Sequence, residues 1–245
     1  MAGLGSRFSQ AGFLDPKPLI PVHGVPMIKV VIDNLRPAEP HRFIFVCQRT
    51  HVVTYDLSEK LNVWAPSCSV IQLDGVTEGA ACTVLAAKDL INSDDSLMIA
   101  NSDQYVDVSI DAYLGQILKN NFDGLIMTMT ANDPKWSFVG FDLMGHVTRV
   151  VEKEVISDEA TVGIYNFRHG RDFVRAAESM IAKNLRVNGE FYVAPTYNQL
   201  IEEGQHIGIH NIGGDGAGMY GLGIPDDLNN FLALPVSRQA VGVKV

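Results

Sequence analysis

Short apolar runs alternate with amphipathic stretches over the first half of the chain. A continuous apolar run predicts a strand that is buried on both faces, and apolar residues at helical spacing predict a helix that packs on such strands. The predicted strands are 42–47, 69–73, 96–100 and 124–130, and the predicted helices are 27–35, 79–91 and 109–120. This alternation favours right-handed crossovers and a mostly parallel sheet.

The pattern changes after Asp133, where short strands follow one another through tight turns. Strands at 138–141, 147–151 and 161–167 predict a small antiparallel or mixed sheet attached to the first one. Helices at about 170–183 and 193–203, a strand at 206–212 and a last helix from Pro225 complete the pattern. The sequence therefore predicts an α/β fold with a mostly parallel twisted sheet flanked by helices, and a loosely attached tail at 235–245.

Composition narrows the class of protein. The chain has 245 residues, 47% hydrophobic, and a net charge of −9 without any basic stripe, which argues against a nucleic-acid partner. Its three cysteines, Cys47, Cys68 and Cys82, lack a C-x-x-C spacing and are expected to be core thiols. No apolar run is long enough to cross a membrane and the N-terminus does not resemble a signal peptide, so we expect a soluble cytoplasmic protein.

Glycines and basic residues near the N-terminus form the first candidate site. Gly3 and Gly5 let backbone N–H groups approach an anion, and Arg7 and Lys17 add positive charge. Phe8 stands where a dinucleotide-binding loop needs a third glycine, and a Walker loop would need Gly-Lys-Ser/Thr. An ordinary glycine turn is the alternative, but the two basic residues favour a phosphate-binding loop.

Asp103 is the second candidate. It follows the predicted strand 96–100, at the carboxyl end where open α/β sheets place their ligands. A carboxylate there suits Mg²⁺ held jointly by protein and phosphates. The alternative is that Asp103 only caps a turn together with Asn101 and Ser102.

The motifs Gly3-x-Gly5-x-Arg7 and Pro16-Lys17-Pro18-Leu19, continued by Gly24-Val-Pro26-Met27-Ile28, resemble those of the sugar-1-phosphate nucleotidyltransferases, the nucleoside-diphosphate-sugar pyrophosphorylases. The resemblance extends to about Leu232. It implies a GT-A-like fold, a nucleoside triphosphate, a phosphorylated acceptor, Mg²⁺ and a pyrophosphate product. It also implies one nucleotidyltransferase domain at 1–234, with a nucleotide-binding part at about 1–130 and an acceptor-binding part at about 131–234.

The resemblance implies a role for each motif residue. Arg7 and Lys17 are expected to be catalytic, and Asp103 is expected to bind the metal. The expected nucleotide-binding residues are Gly3, Leu4, Gly5, Ser6, Glu78, Gly79 and Ala80, and the expected acceptor-binding residues are Glu152, Lys153, Gly163 and Glu190. Trp136 is also expected to bind the acceptor, because it lies where the second sheet begins and its ring can stack on a sugar face. Structural alternatives exist for three of these motifs: a tight helix start at Gly79, a solvated charge cluster at Glu152-Lys153, and an indole packed in the fold at Trp136.

The chain departs from the family pattern at two places. Glu154 replaces the proline of Glu-Lys-Pro, and Gly221 stands where the family has the second metal-binding aspartate of Trp-x-Asp-x-Gly-Thr-Pro. Ile224 also replaces the threonine. Three explanations remain open: the metal keeps an additional water, Asp215 supplies the missing ligand, or activity has been lost.

The main functional hypothesis is synthesis of a nucleoside-diphosphate sugar, as in polysaccharide biosynthesis. The alternatives are a cytidylyltransferase acting on a non-sugar phosphorylated headgroup and a non-catalytic nucleotide-binding homologue. Because the family places an apolar strand directly before the glycine loop, we also expect that natural residues precede Met1. The nucleobase, the acceptor and any self-association are left open.

Overall fold

The computed structural model describes Met1, Gly3 and residues 5–242. The α-helices are α1 Ser6–Gln10, α2 Met27–Asn34, α3 Arg49–Thr54, α4 Leu57–Trp64, α5 Ala80–Leu85, α6 Lys88–Ile91, α7 Ile110–Lys119, α8 Gly170–Ala182, α9 Tyr197–Glu202, α10 Pro225–Leu232 and α11 Pro235–Ala240. The strands are β1 Pro21–Val22, β2 Val25–Pro26, β3 Ile44–Gln48, β4 Ser69–Leu73, β5 Leu97–Ala100, β6 Gln104–Val106, β7 Gly124–Thr130, β8 Ser137–Phe141, β9 Val147–Glu152, β10 Glu159–Phe167, β11 Ile207–Asp215 and β12 Gly218–Gly221. Lys17–Leu19 and Ala194–Thr196 are 3-10 helices.

The chain divides into two compact units. The first unit comprises Met1–Val76, Asn101–Ile110 and the chain from Asp215 onward, and the second comprises Thr77–Ala100 and Asp111–Gly214. The domain bounds expected from the sequence remain a prediction.

The first unit contains a parallel pair, β3 with β4, and the antiparallel pairs β1–β2 and β6–β12. The amide of Asn34, at the end of α2, donates to the carbonyl of Val106 and accepts from its N–H, at 2.8 and 2.9 Å, which ties α2 to β6. A buried cluster packs around these elements because each of them turns its apolar side inward. Its members are Phe8, Ile20, Val22, Met27, Val30, Leu222, Leu228, Phe231 and Val236.

The second unit is built on a mixed sheet. Strand β10 lies between β5 and β7 and is antiparallel to both, and β11 is parallel to β7. Strands β5, β7 and β11 therefore run in one direction. Strands β8 and β9 form an antiparallel pair that joins the sheet where Ala160 of β10 pairs with Phe138.

The α/β class and the extra antiparallel pair agree with the prediction, but particular elements differ. Strand β10 belongs to the main sheet, because its nine residues are buried almost throughout, whereas its predicted place was in the small sheet. The single helix predicted at 79–91 is two helices, α5 and α6. Helices α3 and α4 and strand β6 were not predicted.

The segment after Leu234 is a further correction. The sequence predicts a loosely attached tail, but residues 235–240 form α11, in which Val236 and Ser237 are buried. The Ser237 hydroxyl lies 2.7 Å from Nε2 of His23, so a side-chain hydrogen bond holds this helix within the first unit. Within the described residues, none of the helices has the length and apolar character that crossing a membrane requires.

In the second unit, Gly170 at the start of α8 packs directly against the backbone of Ile91. A Cβ at position 170 would lie 2.0 Å from the carbonyl oxygen of Ile91, so Gly170→Ala would push these two backbone segments apart. We expect it to lower the free energy of unfolding by about 1–3 kcal/mol in urea titrations.

Gly115 provides the matched control, because it is exposed within α7 and its Cβ would meet no atom within 4 Å. Gly115→Ala is expected to raise the free energy of unfolding by about 0.5–1 kcal/mol. Equal stabilities of the two variants would contradict the packing described at Gly170.

Candidate active site

The glycine loop of the first unit leads directly into α1. Gly5 adopts the left-handed conformation, with φ of +63°, and precedes the first residue of α1. A side chain at Gly5 would strain this backbone, and its Cβ would lie 3.3 Å from Cβ of Lys17. Phe8 is buried, whereas Ser6 and Arg7 are exposed, so α1 is anchored by its apolar side and presents its polar side outward.

Lys17 is held by a rigid, partly buried turn. It begins the 3-10 helix of the Pro-Lys-Pro-Leu motif, where Leu19 donates its N–H to the carbonyl of Pro16 at 2.8 Å. Pro18 and Ile20 are buried. Since proline fixes its own φ and restricts the residue before it, the backbone on both sides of Lys17 has little freedom. The turn therefore fixes where the ammonium group can reach.

Lys17 and Asp103 form a salt bridge in which Nζ donates to Oδ2. Asp103 lies immediately before β6, and its carbonyl accepts the N–H of Leu222 at 2.8 Å. A Cβ at Gly223 would lie 2.8 Å from Oδ2 of Asp103 and 3.5 Å from Nζ of Lys17. Both side chains are about one quarter exposed, so the pair is accessible to a ligand.

Gly221, at the family's second aspartate position, lies beside a different carboxylate. A Cβ at Gly221 would be 3.1 Å from Oδ2 of Asp227, in the first turn of α10. Sequence reasoning named Asp215 as a replacement ligand and did not consider Asp227. The sequence does contain a sign of Asp227: this carboxylate follows the glycines closely and lies in the helix that begins at Pro225.

In the second unit, two predicted segments are hydrogen-bonded to each other. The carbonyl of Glu78 accepts the N–H of Phe191 at 2.9 Å, and the N–H of Ala81 donates to the carbonyl of Phe191 at 3.0 Å. Gly79 has φ of +132°, and its Cβ would lie 2.4 Å from the Phe191 carbonyl oxygen. Gly79 therefore allows the start of α5, one residue later at Ala80, to contact the Glu190-Phe191 segment.

The Asn188-Gly189 pair turns the chain toward this contact. Both residues have positive φ, and Val187 and Glu190 exchange two backbone hydrogen bonds of 3.0 Å, as expected of a type I′ hairpin turn. Arg186, just before the turn, lies with its guanidinium carbon 4.1 Å from the centre of the Phe191 ring and pairs with Glu78. Sequence reasoning missed Arg186.

Glu152 is buried at the end of β9 and belongs to a chain of polar side chains. Its carboxylate accepts the Ser137 hydroxyl, directly across the β8–β9 pair. The Tyr165 hydroxyl contacts Ser137 and lies 2.9 Å from the Thr161 hydroxyl. Burial raises the pKa of Glu152 against the opposing effect of the Ser137 hydrogen bond, and burial raises the pKa of Tyr165 to about 12.

Lys153, next to Glu152, has an uncommon backbone conformation, with φ of +59°. Its N–H donates to the carbonyl of Trp136 at 3.0 Å, and its Nζ donates to the Tyr192 hydroxyl at 2.7 Å. The hydrogen bond to Tyr192 is the largest influence on the pKa of Lys153, which is raised. Trp136 is half-buried, with Nζ of Lys135 4.8 Å from its ring centre.

Gly163 lies in a bulge of β10 rather than in the Lys153 contacts. It is buried, has φ of +79°, and falls between Thr161 and Tyr165, where the register to β7 shifts. The two residues that flank the bulge belong to the polar chain that ends at Glu152. Gly163 therefore connects to Glu152 indirectly, through the polar side chains of Thr161, Tyr165 and Ser137.

The structure brings some predicted residues together and leaves others apart. It joins Lys17 to Asp103 in the first unit, and in the second it packs Glu78 and Gly79 against Phe191, the residue that follows Glu190. Among the described residues, no hydrogen bond or ion pair joins Arg7 to Lys17 or Asp103, and Leu4 lies outside the described residues. Gly3 is exposed, in a bend.

Comparison with known proteins identifies the family. Residues 1–203 match the sequence model of the nucleotidyl transferase family, and the chain belongs to this family. No significant match is found among curated protein sequences.

Solved structures share the fold. A nucleoside-diphosphate-sugar pyrophosphorylase from Vibrio cholerae RC9 has a TM-score of 0.80 and 26% identity, over 96% of this chain and 98% of that one. The UTP-bound UGPase from Acinetobacter baumannii has a TM-score of 0.72 and 16% identity, over 98% and 94%. A UDP-glucose pyrophosphorylase complexed with UDP-glucose has a TM-score of 0.74 and 15% identity, over 99% and 97%. The GT-A-like fold is therefore confirmed.

The burial of Glu152 predicts a pH dependence of stability. Its folded pKa lies above its ordinary value of 4.5, so the native state keeps a proton that the unfolded chain has already lost. As pH rises from 4.5 through the folded pKa, the wild-type free energy of unfolding should therefore fall relative to that of Glu152→Gln, which does not titrate. Urea titrations at several pH values measure this difference.

The exposed neighbour Glu154 supplies the matched control for the change in net charge, as Glu154→Gln. A difference between wild type and Glu152→Gln that stays constant or grows as pH rises would contradict the assigned burial effect.

Proposed function

We propose that this protein transfers a nucleotidyl group from a nucleoside triphosphate to a sugar 1-phosphate, producing a nucleoside-diphosphate sugar and pyrophosphate. The observation that carries the proposal is the accessible Lys17–Asp103 pair beside Gly223, formed by two family motifs that are 86 residues apart. The similarity to a nucleoside-diphosphate-sugar pyrophosphorylase supports the acceptor class.

The first unit supplies the groups for the triphosphate. Gly3, Leu4, Gly5 and Ser6 form the proposed phosphate loop, with Arg7 binding the β- and γ-phosphates. Lys17 is proposed to bind the α-phosphate and to stabilise the charge that develops there in the transition state. Its salt bridge to Asp103 keeps the ammonium in place before substrate arrives.

Asp103 is the proposed Mg²⁺ ligand. The described residues hold no cluster of three or more histidine, cysteine, aspartate or glutamate side chains that could bind a metal by itself. One accessible carboxylate nevertheless fits Mg²⁺, which proteins often hold through one or two carboxylates together with substrate phosphates and water. When bound, Mg²⁺ would neutralise charge on the triphosphate.

The second unit supplies the remaining groups. Glu78, Gly79 and Ala80 are proposed to lie against the nucleotide. Lys153 is proposed to bind the acceptor phosphate, and Glu152, Glu190 and Trp136 the sugar, with Gly163 shaping β10 behind them. The hydrogen bonds of Glu78 and Ala81 with Phe191 support this assignment, because the residues proposed for the nucleotide then lie next to the segment that contains Glu190, proposed for the sugar.

The chemistry is an in-line substitution at phosphorus. An oxygen of the acceptor phosphate forms a bond to the α-phosphorus while the bond to the pyrophosphate oxygen breaks, and the electron pair leaves with pyrophosphate. A phosphate nucleophile is already ionised at neutral pH, so the reaction needs no general base. Positioning of the two substrates and neutralisation of their charge provide the rate.

A role in nucleotide-sugar and polysaccharide biosynthesis in the cytoplasm follows from this proposal. A pyrophosphate-release assay tests it, with each nucleoside triphosphate, Mg²⁺ and a panel of sugar 1-phosphates. We expect release with at least one pair. Phosphorylated amino alcohols with cytidine triphosphate form a second panel, and release with this panel alone would assign the cytidylyltransferase alternative. Nucleotide binding without any turnover would indicate a non-catalytic homologue, and either outcome would contradict the proposed reaction.

Lys17→Ala removes the ammonium proposed to act at the α-phosphate. We expect kcat/KM to fall about 100- to 1,000-fold, as for loss of one preorganised transition-state donor. Steady-state kinetics measure the effect, and circular dichroism checks that the variant folds.

Lys29→Ala is the matched control, because Lys29 forms an exposed pair with Asp33 on α2. Its kcat/KM is expected to stay within about twofold of wild type, since an exposed pair contributes little. A loss below about threefold for Lys17→Ala would count against the role given to Lys17.

A further inference from the structure

Lys153 is held in its position by its backbone. It follows β9 directly and adopts a left-handed φ of +59°, which is uncommon for a lysine. The hydrogen bond from its N–H to the Trp136 carbonyl extends the β8–β9 pairing by one step beyond Ser137 and Glu152. Residues held in sparsely populated conformations concentrate at functional sites. The backbone conformation and this hydrogen bond thus fix the position of the Lys153 backbone.

The side chain of Lys153 is held at its far end by Tyr192. Nζ donates to the phenol oxygen at 2.7 Å and lies 4.8 Å from the centre of the same ring. A lysine ammonium on a flexible four-carbon stem otherwise samples many rotamers. The phenol therefore selects one position for an ammonium that is exposed to solvent.

Tyr192 is itself well fixed. It follows Phe191, whose N–H and carbonyl are both hydrogen-bonded to the Glu78–Ala81 segment and whose ring lies under Arg186. Tyr192 is half-buried, whereas the next residue along the chain, Val193, is fully inside the core. The hydroxyl is thus presented from a rigid segment.

The carboxylates near Lys153 leave this role to the phenol. Glu152 and Glu190 both act on Lys153 electrostatically, but the hydrogen bond that Lys153 donates to the Tyr192 oxygen has the larger influence on its pKa. The Glu152 carboxylate accepts the Ser137 hydroxyl. The Glu190 carboxylate accepts a hydrogen bond from the Tyr192 hydroxyl, so it helps to hold the phenol that contacts Lys153.

We propose that Tyr192 is a positioning residue, which holds the Lys153 ammonium where it binds the phosphate of the acceptor. This proposal rests on the proposed function. An ammonium has three N–H donors. One is taken by the Tyr192 oxygen, and two remain for oxygens of the acceptor phosphate. Binding of the acceptor then needs little further ordering of the lysine side chain.

Tyr192→Phe tests the proposal, because it keeps the ring under the ammonium and removes the acceptor oxygen. We expect KM for the acceptor to rise about tenfold, in line with loss of a hydrogen bond to a charged group. KM for the nucleoside triphosphate should stay unchanged, since the hydroxyl that is removed contacts Lys153, the proposed acceptor residue, and the backbone beside Phe191 is retained. Steady-state kinetics of the full chain, with each substrate varied in turn, separate the two constants.

A pH profile adds a second readout. Because the hydrogen bond that Lys153 donates to the Tyr192 oxygen favours the charged form of Lys153, its removal lowers the pKa of Lys153. The Glu152 carboxylate faces Lys153 in both proteins, but the Glu190 carboxylate loses the Tyr192 hydroxyl in the variant. The same comparison is therefore also made in a Glu190→Gln background, in which that charge is absent. The alkaline rise in acceptor KM should therefore begin at a lower pH in Tyr192→Phe than in wild type.

A double substitution shows whether Tyr192 acts through Lys153. We expect Lys153→Ala to raise acceptor KM more than Tyr192→Phe does, and the double variant to match Lys153→Ala. Additive effects of the two substitutions, an unchanged acceptor KM in Tyr192→Phe, or an equal rise in both KM values would each overturn the positioning role while leaving the proposed function intact. Absence of turnover in the wild-type protein would overturn both.

Discussion

The salt bridge between Lys17 and Asp103 is the interaction around which the first unit's site is arranged. It exists because two glycines leave room for it: Gly5 lies against the stem of Lys17, and Gly223 lies against the carboxylate of Asp103. A methyl group at Gly223 would lie too close to that carboxylate. The rigid Pro-Lys-Pro turn and the β6–β12 pair then bring the two charges from distant parts of the chain to the same place.

In the second unit, too, a glycine leaves the space for a close contact, here between two backbone segments. Gly79 has no side chain because the backbone of Phe191 occupies that space, and the resulting hydrogen bonds join the start of α5 to the segment that carries Tyr192. Lys153 approaches from the end of β9 and meets the Tyr192 hydroxyl. Close backbone packing thus fixes polar groups that would otherwise be free on the surface.

Local sequence patterns predicted the elements that are apolar and continuous, and failed where tertiary contacts decide. Strands β3, β4, β5 and β7 lie close to their predicted bounds, because strands inside a sheet tend to be continuous apolar runs. Only β7 is buried almost throughout; β4 and β5 are no more than half-buried. The split of α5 from α6 and the placement of β10 between β5 and β7 depend on partners distant in sequence. The sequence predicts a loose tail where α11 forms. The prediction is wrong because the Ser237 hydroxyl of this helix is held by His23, more than 200 residues away, and a local pattern carries no sign of that contact.

The sequence by itself determined the class of protein and most candidate residues, because the chemistry of phosphate binding needs glycine, lysine and arginine in short, recognisable motifs. It also showed that Gly221 departs from the family pattern. Which groups meet was decided by the tertiary structure. The contact of Tyr192 with Lys153 has no local signal, since the two residues lie 39 positions apart and only folding brings them together. Asp227 beside Gly221 and Arg186 over Phe191 are close in sequence, but their side-chain contacts depend on how the intervening turns fold.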